Sequence, residues 1–343
     1  IVADFRSLFG STKSTKDCIL YRTYDADKGV THSIASTCNM NDPTDVGPNL
    51  DLIKAFICTD GKDWQTSAVA NAADFTLSNL IKTRDARFEA SFYNKPTPRA
   101  KSCYLYVTKF IPRSALEYIE KGGSPAPEFQ GEKNVTGYPV IRYAEVLLNW
   151  IEAKAELATL GGPAVVQTDI DESINKIRNR PIAEEAKALG VVKTADMKLD
   201  VTVSPLLWEI RRERRMEFAF EFSRIVDLRR WKKLEYMDTD RNQDLLVGTW
   251  VNFKDEVPEE LKSENSGKIR VMGKDGSLTV YDGTNAAAMK GFFYPEQNKG
   301  RLPFLNVPNV NPYLSPIGIN QIEDYKSRGY TLTQTEGWPA SLN

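Results

Sequence analysis

The sequence predicts a mainly α protein in which paired helices carry a large irregular α/β region. Three observations lead there. The segment YPVIRYAEVLLNWIEAKAELATLGG (138–162) sets Ile141, Ala144, Leu147, Leu148, Ile151 and Ala155 on one stripe at helical spacing. A shorter helical pattern, TDIDESINKIRNR (168–180), follows across a Gly/Pro turn, and two helices joined by such a turn are the unit of helical-repeat proteins. From about Tyr236 onward Gly, Pro, Asn and Asp recur every few residues, so that region is irregular. The chain thus divides into a mixed α/β segment with ligand loops over 1–132, a helical scaffold over 133–235 and an irregular region over 236–343 that packs on the scaffold.

Each element has its own signal. NLDLIKAFICTDG (49–61) places Leu50, Ile53, Phe56 and Ile57 at helical spacing and should stop at Gly61. KSCYLYVTKF (101–110) alternates and is rich in aromatic and β-branched residues, which reads as a strand. KGGSPAPEFQGEKNVTG (121–137) is loop by composition. The helix of 138–162 ends at Gly161–Gly162, and Ala153 or Ala155 allows a close neighbour. Thr168 or Asp169 can cap the helix after it, and Ser204 caps a third ahead of Pro205 at the first helical position.

The third helical block holds EIRRERRMEFAFEFSRIVDLRRW (209–231), with seven arginines. Five carboxylates, Glu209, Glu213, Glu217, Glu221 and Asp227, stand against them, so the excess is +2. The glutamates recur every fourth residue, with arginine three positions away at Glu209–Arg212 and Arg214–Glu217. Such pairs stabilise a helix by about 0.2–0.5 kcal/mol each. A phosphate-binding helix leaves its arginines unneutralised. Here they are largely answered in cis, and the second half is apolar on nearly every side, from Met216 and Phe218 to Leu228. The block reads as a buried, ion-paired structural element rather than a nucleic-acid grip.

Composition narrows the classes further. The 343 residues carry 45 Lys+Arg against 46 Asp+Glu, a net charge of −1, which argues against a surface tuned to nucleic acid. No apolar run is long enough to span a bilayer as a helix. Cys18, Cys38, Cys58 and Cys103 form no CxxC pair, and one histidine, His32, leaves little for a zinc site or a catalytic triad. The cysteines are expected as free or buried thiols. DTDRNQD (238–244) alternates Asp238, Asp240, Asn242 and Asp244 as a calcium loop begins, but Gln243 stands where glycine is needed and Thr249 where the closing glutamate is needed. NMNDPTD (39–45) is acidic without a pattern. No cofactor is expected, with calcium the weak exception. The chain opens on Ile1, so its true start, with any export signal or lipid anchor, is expected upstream.

These segments, in this order, resemble the SusD/RagB family of outer-membrane nutrient-binding lipoproteins. RYAEVLLNW, then NKIRNR, then RRERRMEFAFEFSRIVDLRRW match motifs the family carries in that order. The close, YLSPIGINQIEDYKSRGYTLTQTEGW, is similar to the family's ending, with SPIG in place of P-I-P and TEGW in place of N-P-G-W. LDLIKAFICTDGK and TRDARFEASFY extend the likeness upstream, so it covers roughly residues 40 to 343. The resemblance implies tetratricopeptide-like helix pairs supporting an irregular ligand-binding region. It also implies a surface-exposed, lipid-anchored protein of the outer membrane that captures glycans, or peptides in the RagB branch. Such a protein performs no chemistry and delivers its ligand to a SusC-like TonB-dependent transporter.

Sugar rings present apolar C–H faces edged by hydroxyls, so a glycan site pairs an aromatic platform with polar side chains. CTDGKDWQTS (58–67) offers Trp64 flanked by Lys62, Asp63 and Gln65 in a turn-prone loop; packing is the competing role for that ring. Trp250 in LLVGTWVNF and Tyr281 in LTVYDG are further candidates, with Asp60, Arg84 and Arg87 as polar partners. Trp150, Trp208 and Trp231 lie at helical spacing and are expected in the core, and Trp338 as a packing anchor. A glycoside hydrolase would need only two suitably placed carboxylates, but nothing in the sequence singles out a pair.

Overall fold

The computed structural model describes residues 5–37, 46–95, 104–112, 114–115, 126–179, 200–257, 259–262, 266–295 and 310–339. It divides into two compact units, Ile1–Glu217 with Leu246–Gln297, and Phe218–Leu245 with Asn298–Asn343. The acidic stretch 39–45, Cys38 and Cys103 lie outside the described residues.

In the first unit β1 (Cys18–Arg22) pairs antiparallel with β2 (Tyr138–Arg142), Arg22 facing Tyr138. Residues 138–142, expected as the first turns of a helix, are therefore a strand. The helical pattern is real only from Tyr143 on, because a distant strand takes up the backbone groups before it.

Helix α1 (Leu50–Ala55) begins where the Asn49 side chain accepts the Leu52 N–H at 2.9 Å. It stops at Phe56 rather than Gly61. Phe56 and Ile57 are fully buried, Ile57 O accepts the Asp85 N–H at 2.8 Å, and Cys58 N–H donates to Lys62 O at 2.7 Å. These tertiary pairings replace further helix, and Gly61, at φ +78, makes the turn that follows. Helices α2 (Leu77–Thr83) and α3 (Arg87–Ser91) come next. The strand expected over 101–110 does not form within its described part, 104–110: the segment holds one bridge, Phe92 to Val107. Leu105, Val107, Thr108, Lys109 and Phe110 are all buried, so the alternation in sequence marks no solvent face.

Helix α4 (Tyr143–Thr159) buries Ala144, Leu147, Leu148, Ile151 and Ala155, the predicted stripe without Ile141. Trp150, expected in the core, is 40 % exposed. It lies about a third of a turn off that stripe, with Lys154 Nζ 5.7 Å from its ring centroid. Gly161, at φ +91, ends the element, and Gly162 N–H donates to Leu157 O. Helix α5 follows as Gln167–Ile170, a π-helical turn Asp171–Asn175 and Lys176–Arg178. Its first turn is tied down when the Asp169 carboxylate accepts the Val166 N–H at 2.8 Å. Helix α6 (Pro205–Glu217) starts as predicted, with Ser204 Oγ accepting the Leu207 N–H. Arg211 bonds Glu156 and Arg214 bonds Asn149, so α6 and α4 run antiparallel.

The glutamates of α6 form a buried ionic network with three other segments. Glu213 accepts from Arg87 at 2.7 Å and from Arg178 at 2.8 Å. Glu209 binds Arg178 and Arg212, both at 2.6 Å. Glu217 binds Arg142 at 2.8 Å and Arg87 at 3.1 Å, rather than Arg214 as the sequence spacing predicted. Asp85 completes a fork on Arg87. Burial opposes ionisation of Asp85 and Glu209, yet the facing guanidinium groups outweigh it and hold both carboxyls below their usual values.

The 209–231 block is not one helix. Phe220 and Phe222 take left-handed backbone at φ +65 and +66, and α7 (Arg224–Arg230) begins a new element in the second unit. The expectation of burial all round fails there: Phe222 is 79 % and Val226 60 % exposed. That unit's core is Leu228, Trp231 and Leu234 with Tyr236 and Tyr313. It also contains α8 (Ile319–Ser327), and Trp338 anchors the tail by donating Nε1–H to Leu314 O at 2.9 Å.

A four-stranded antiparallel sheet closes the first unit: β3 (Trp250–Asn252), β4 (Arg270–Met272), β5 (Leu278–Val280) and β6 (Lys290–Phe293), in the order β3-β6-β4-β5. Val251, Val271 and Phe293 point inward, joining Ile269, Tyr281, Phe253 and Met289 in one core. No helix is long and apolar enough to cross a membrane among the described residues.

Candidate functional site

The period-two alternation of a strand fixes what the other face of this sheet presents. Trp250 pairs with Phe292, Phe292 with Met272, and Met272 with Leu278, so these four side chains form one row across all four strands. Trp250, Phe292 and Met272 are half-buried, and Leu278 is 52 % exposed. An apolar row left open on a sheet face is the informative exception to ordinary surface composition.

The loop holding Trp64 extends this row. The 74–76 segment binds the sheet's edge, with Trp250 N–H donating to Phe75 O at 3.1 Å and a parallel bridge from Thr76 to Trp250. Phe75 thereby meets Phe292, with ring centroids 6.2 Å apart, and Trp64 packs edge-on against Phe75 at 5.1 Å. Trp250 meets Phe292 edge-on at 5.1 Å. Such edge contacts contribute about 0.5–1.5 kcal/mol each beyond area burial, enough to hold the rings in place. Two of the residues predicted from sequence, Trp64 and Trp250, therefore belong to one contiguous aromatic cluster, joined through Phe292 and the buried ring of Phe75.

Cations border it. Lys54 Nζ lies 5.5 Å from the Trp64 centroid and 5.8 Å from that of Phe75. Lys274, on the turn between β4 and β5, lies 5.5 Å from the Trp250 centroid. The Arg270 guanidinium covers Tyr294 at 5.2 Å.

The remaining predicted residues fall in two groups. Lys62 is half-buried and Gln65 exposed in the Trp64 loop, at the end of the aromatic surface. Asp63 is buried and shapes that loop: its carboxylate accepts from the Gln65 and Thr66 N–H groups and the Thr66 hydroxyl. Asp60 is engaged similarly with Ser67 and Ala68. Arg84 and Arg87, proposed as ligand partners, are buried instead. Arg84 donates to Thr83 Oγ1 at 2.8 Å and Ala72 O at 2.9 Å, and Arg87 belongs to the ionic network. Tyr281 is 3 % exposed: Val280 takes the outward position and Tyr281 the inward one, its ring packed on Phe253 and its hydroxyl donating to Gly283 O. Its face serves the core.

Sequence reasoning missed Phe75, Phe292 and Met272. Phe292 was findable in principle, because the pair Phe292–Phe293 in a strand must face opposite ways. Phe75 carries no local signal, since its place depends on a bridge to a strand far along the chain.

No metal is held by geometry here: among the described residues no three His, Cys, Asp or Glu side chains converge on one point. In the 238–244 loop, Asp238 accepts the Asp240 N–H and Asn242 accepts the Asp244 N–H, so the alternating acids close turns. His32 is fixed by Thr136 O at 2.7 Å from Nε2 and by the Ile34 N–H at 3.1 Å to Nδ1, a structural role. Cys18 and Cys58 are free thiols, and burial pushes that of Cys58 up.

The sequence profile of the SusD family matches residues 16–338 of the chain. Among solved structures, BT4246 is similar at 16 % identity and a TM-score of 0.49, with 85 % of this chain and 45 % of that one covered. A laminarin-binding SusD-like protein is similar at 19 % identity and a TM-score of 0.37, with 71 % and 48 % covered. The chain thus spans under half the length of either. No curated protein matches it.

Proposed function

Because the chain belongs to the SusD family, we propose that it is a non-catalytic binding protein that captures glycans on the outer row of the four-stranded sheet. The observation that carries this is the contiguous aromatic cluster in which Trp64, Phe292 and Trp250 stay partly open around the buried ring of Phe75. Rigid aromatic faces at a low ordering cost suit the C–H faces of successive sugar rings. Lys62 and Gln65 stand at one end to meet hydroxyls. Family membership further supports attachment at the cell surface by a lipid anchor and delivery to a SusC-like TonB-dependent transporter. The carboxylates beside the rings, Asp60 and Asp63, are engaged by backbone N–H groups, which favours binding over hydrolysis.

Calorimetric titration of the chain against a panel of plant, fungal and host polysaccharides and a peptide pool tests this reading. Binding to a glycan is expected, with loss of at least ten-fold in affinity in both Trp64→Ala and Trp250→Ala. Retained glycan binding in both variants discards the row as the site. A response to peptide alone moves the protein to the RagB-like branch, and release of reducing ends from the bound glycan overturns the non-catalytic assignment.

A further inference from the structure

Resting on the reading above, we infer that the glycan taken by this row is anionic, carrying carboxylate or sulfate groups that the lysines and arginine around the rings recognise. Beside the apolar row, the outward positions of the strands hold Arg270, paired with Val280, and Lys290, paired with Asn252. None of the outward positions on the four strands is Asp or Glu. Lys274 adds a third positive charge from the β4–β5 turn, against the Trp250 ring. The one carboxylate on that turn, Asp275, accepts from the Ser277 N–H and hydroxyl.

The contrast with the rest of the chain gives this weight. Positive and negative residues are nearly equal in number, 45 against 46. On α6, Arg211, Arg212, Arg214 and Arg215 each have a carboxylate partner. Arg270, Lys274 and Lys290 have none within 4 Å among the described residues. Arg270 is nonetheless held: it donates to Pro295 O at 3.1 Å and stacks on Tyr294, which leaves a preorganised guanidinium edge on the sheet face. Planar guanidinium recognises carboxylate and sulfate oxygens in a fork, and ammonium groups add point charge. The acids in the vicinity are Asp60 and Asp63 in the Trp64 loop and Asp74 beside Phe75, engaged by Ala68 N–H, Gln65 N–H and the Asn79 amide respectively, and Asp255 and Glu256, which follow β3 beside Asn252, Asp255 accepting from the Asn252 amide. They favour placement of the anion toward Arg270 and Lys274. The chemistry is that of an acidic polysaccharide: apolar ring faces for the tryptophans and regularly spaced anions for the cations.

The test is titration of the full chain with polygalacturonate, chondroitin sulfate, laminarin and poly(dT) at 50 and 300 mM NaCl. It is repeated with Trp64→Ala/Trp250→Ala and with Arg270→Gln/Lys274→Gln/Lys290→Gln; circular dichroism verifies that both variants are folded. The expected result is binding of an acidic glycan that weakens at least ten-fold at the higher salt, at least ten-fold in the Gln variant and at least ten-fold in the Trp variant. Whether polygalacturonate or chondroitin sulfate binds distinguishes carboxylate from sulfate. If laminarin binds at least as tightly, independently of salt, and is lost only in the Trp variant, the row stands as a glycan site and the anionic inference falls. If acidic glycan or poly(dT) binds with no dependence on the tryptophans, the attraction is unspecific and both fall, as they do if nothing binds.

Discussion

Replacing Glu213 by Gln tests whether the ionic network of α6 holds the scaffold together. Glu213 is fully buried, and its two oxygens accept from Arg87 at 2.7 Å and Arg178 at 2.8 Å, both guanidinium groups being buried as well. The network is balanced: Arg87, Arg142, Arg178 and Arg212 face Asp85, Glu209, Glu213 and Glu217. The amide is isosteric, so no cavity opens. It removes one negative charge, however, and turns an amide N–H₂ toward a donor. Arg87 retains Asp85 and Glu217, and Arg178 retains Glu209, so the penalty is that of one uncompensated buried charge. Removing one partner of a buried pair costs about 3–5 kcal/mol, against a total stability of about 5–15 kcal/mol for a typical domain. The variant should therefore unfold at a clearly lower urea concentration with an unchanged slope, followed by circular dichroism and tryptophan fluorescence. Lys28→Gln, which breaks the exposed pair with Asp25, is the control and should leave the midpoint where it is. Raising NaCl to 0.5 M should not rescue Glu213→Gln, because a buried network is little screened. A loss under about 1 kcal/mol would refute the argument.

Two further outcomes follow from the geometry. Burial, with a smaller contribution from Arg22, holds the imidazole of His32 below its usual value despite its bond to Thr136 O. Its stabilisation is therefore present above the unfolded value of about 6.5 and lost as pH falls through the folded one. NMR titration of this single histidine should give a midpoint under 6.5, and one at or above 6.5 overturns the assignment. Gly291→Ala would set a Cβ 2.6 Å from Met272 O and 2.9 Å from Met272 C, both backbone atoms, forcing β4 and β6 apart. A drop in melting temperature together with weakened glycan binding is expected, since Met272 and Phe292 are partners in the outer row; an unchanged melting temperature contradicts it.

Much of the scaffold was legible from local pattern. The stripe of α4 from Ala144 to Ala155, the Gly161 stop and the Ser204–Pro205 start of α6 depend on neighbours within a few turns, and each formed as the spacing predicts. The arginines of α6, expected to be answered in cis, are answered so at Arg212 by Glu209, while Arg211, Arg214 and Arg215 take Glu156, Glu152 and Asp51 from distant segments. Ordered motifs through residues 138–338 also carried the family, which the SusD profile over 16–338 bears out. What the sequence could not determine is what depends on distant partners. It could not say that residues 138–142 pair with β1 or that α1 stops at Phe56 in favour of contacts to 84–85. Nor could it say that Glu217 takes Arg87 and Arg142 instead of Arg214. The candidate site shows the same division: Trp64 and Trp250 stand out in sequence as tryptophans in irregular surroundings, while Tyr281 stands out equally and is turned inward by one step of strand register. Alternation along a strand says which residues share a face. Only the packing of the sheet decides which face meets the core, and so which rings remain for a ligand.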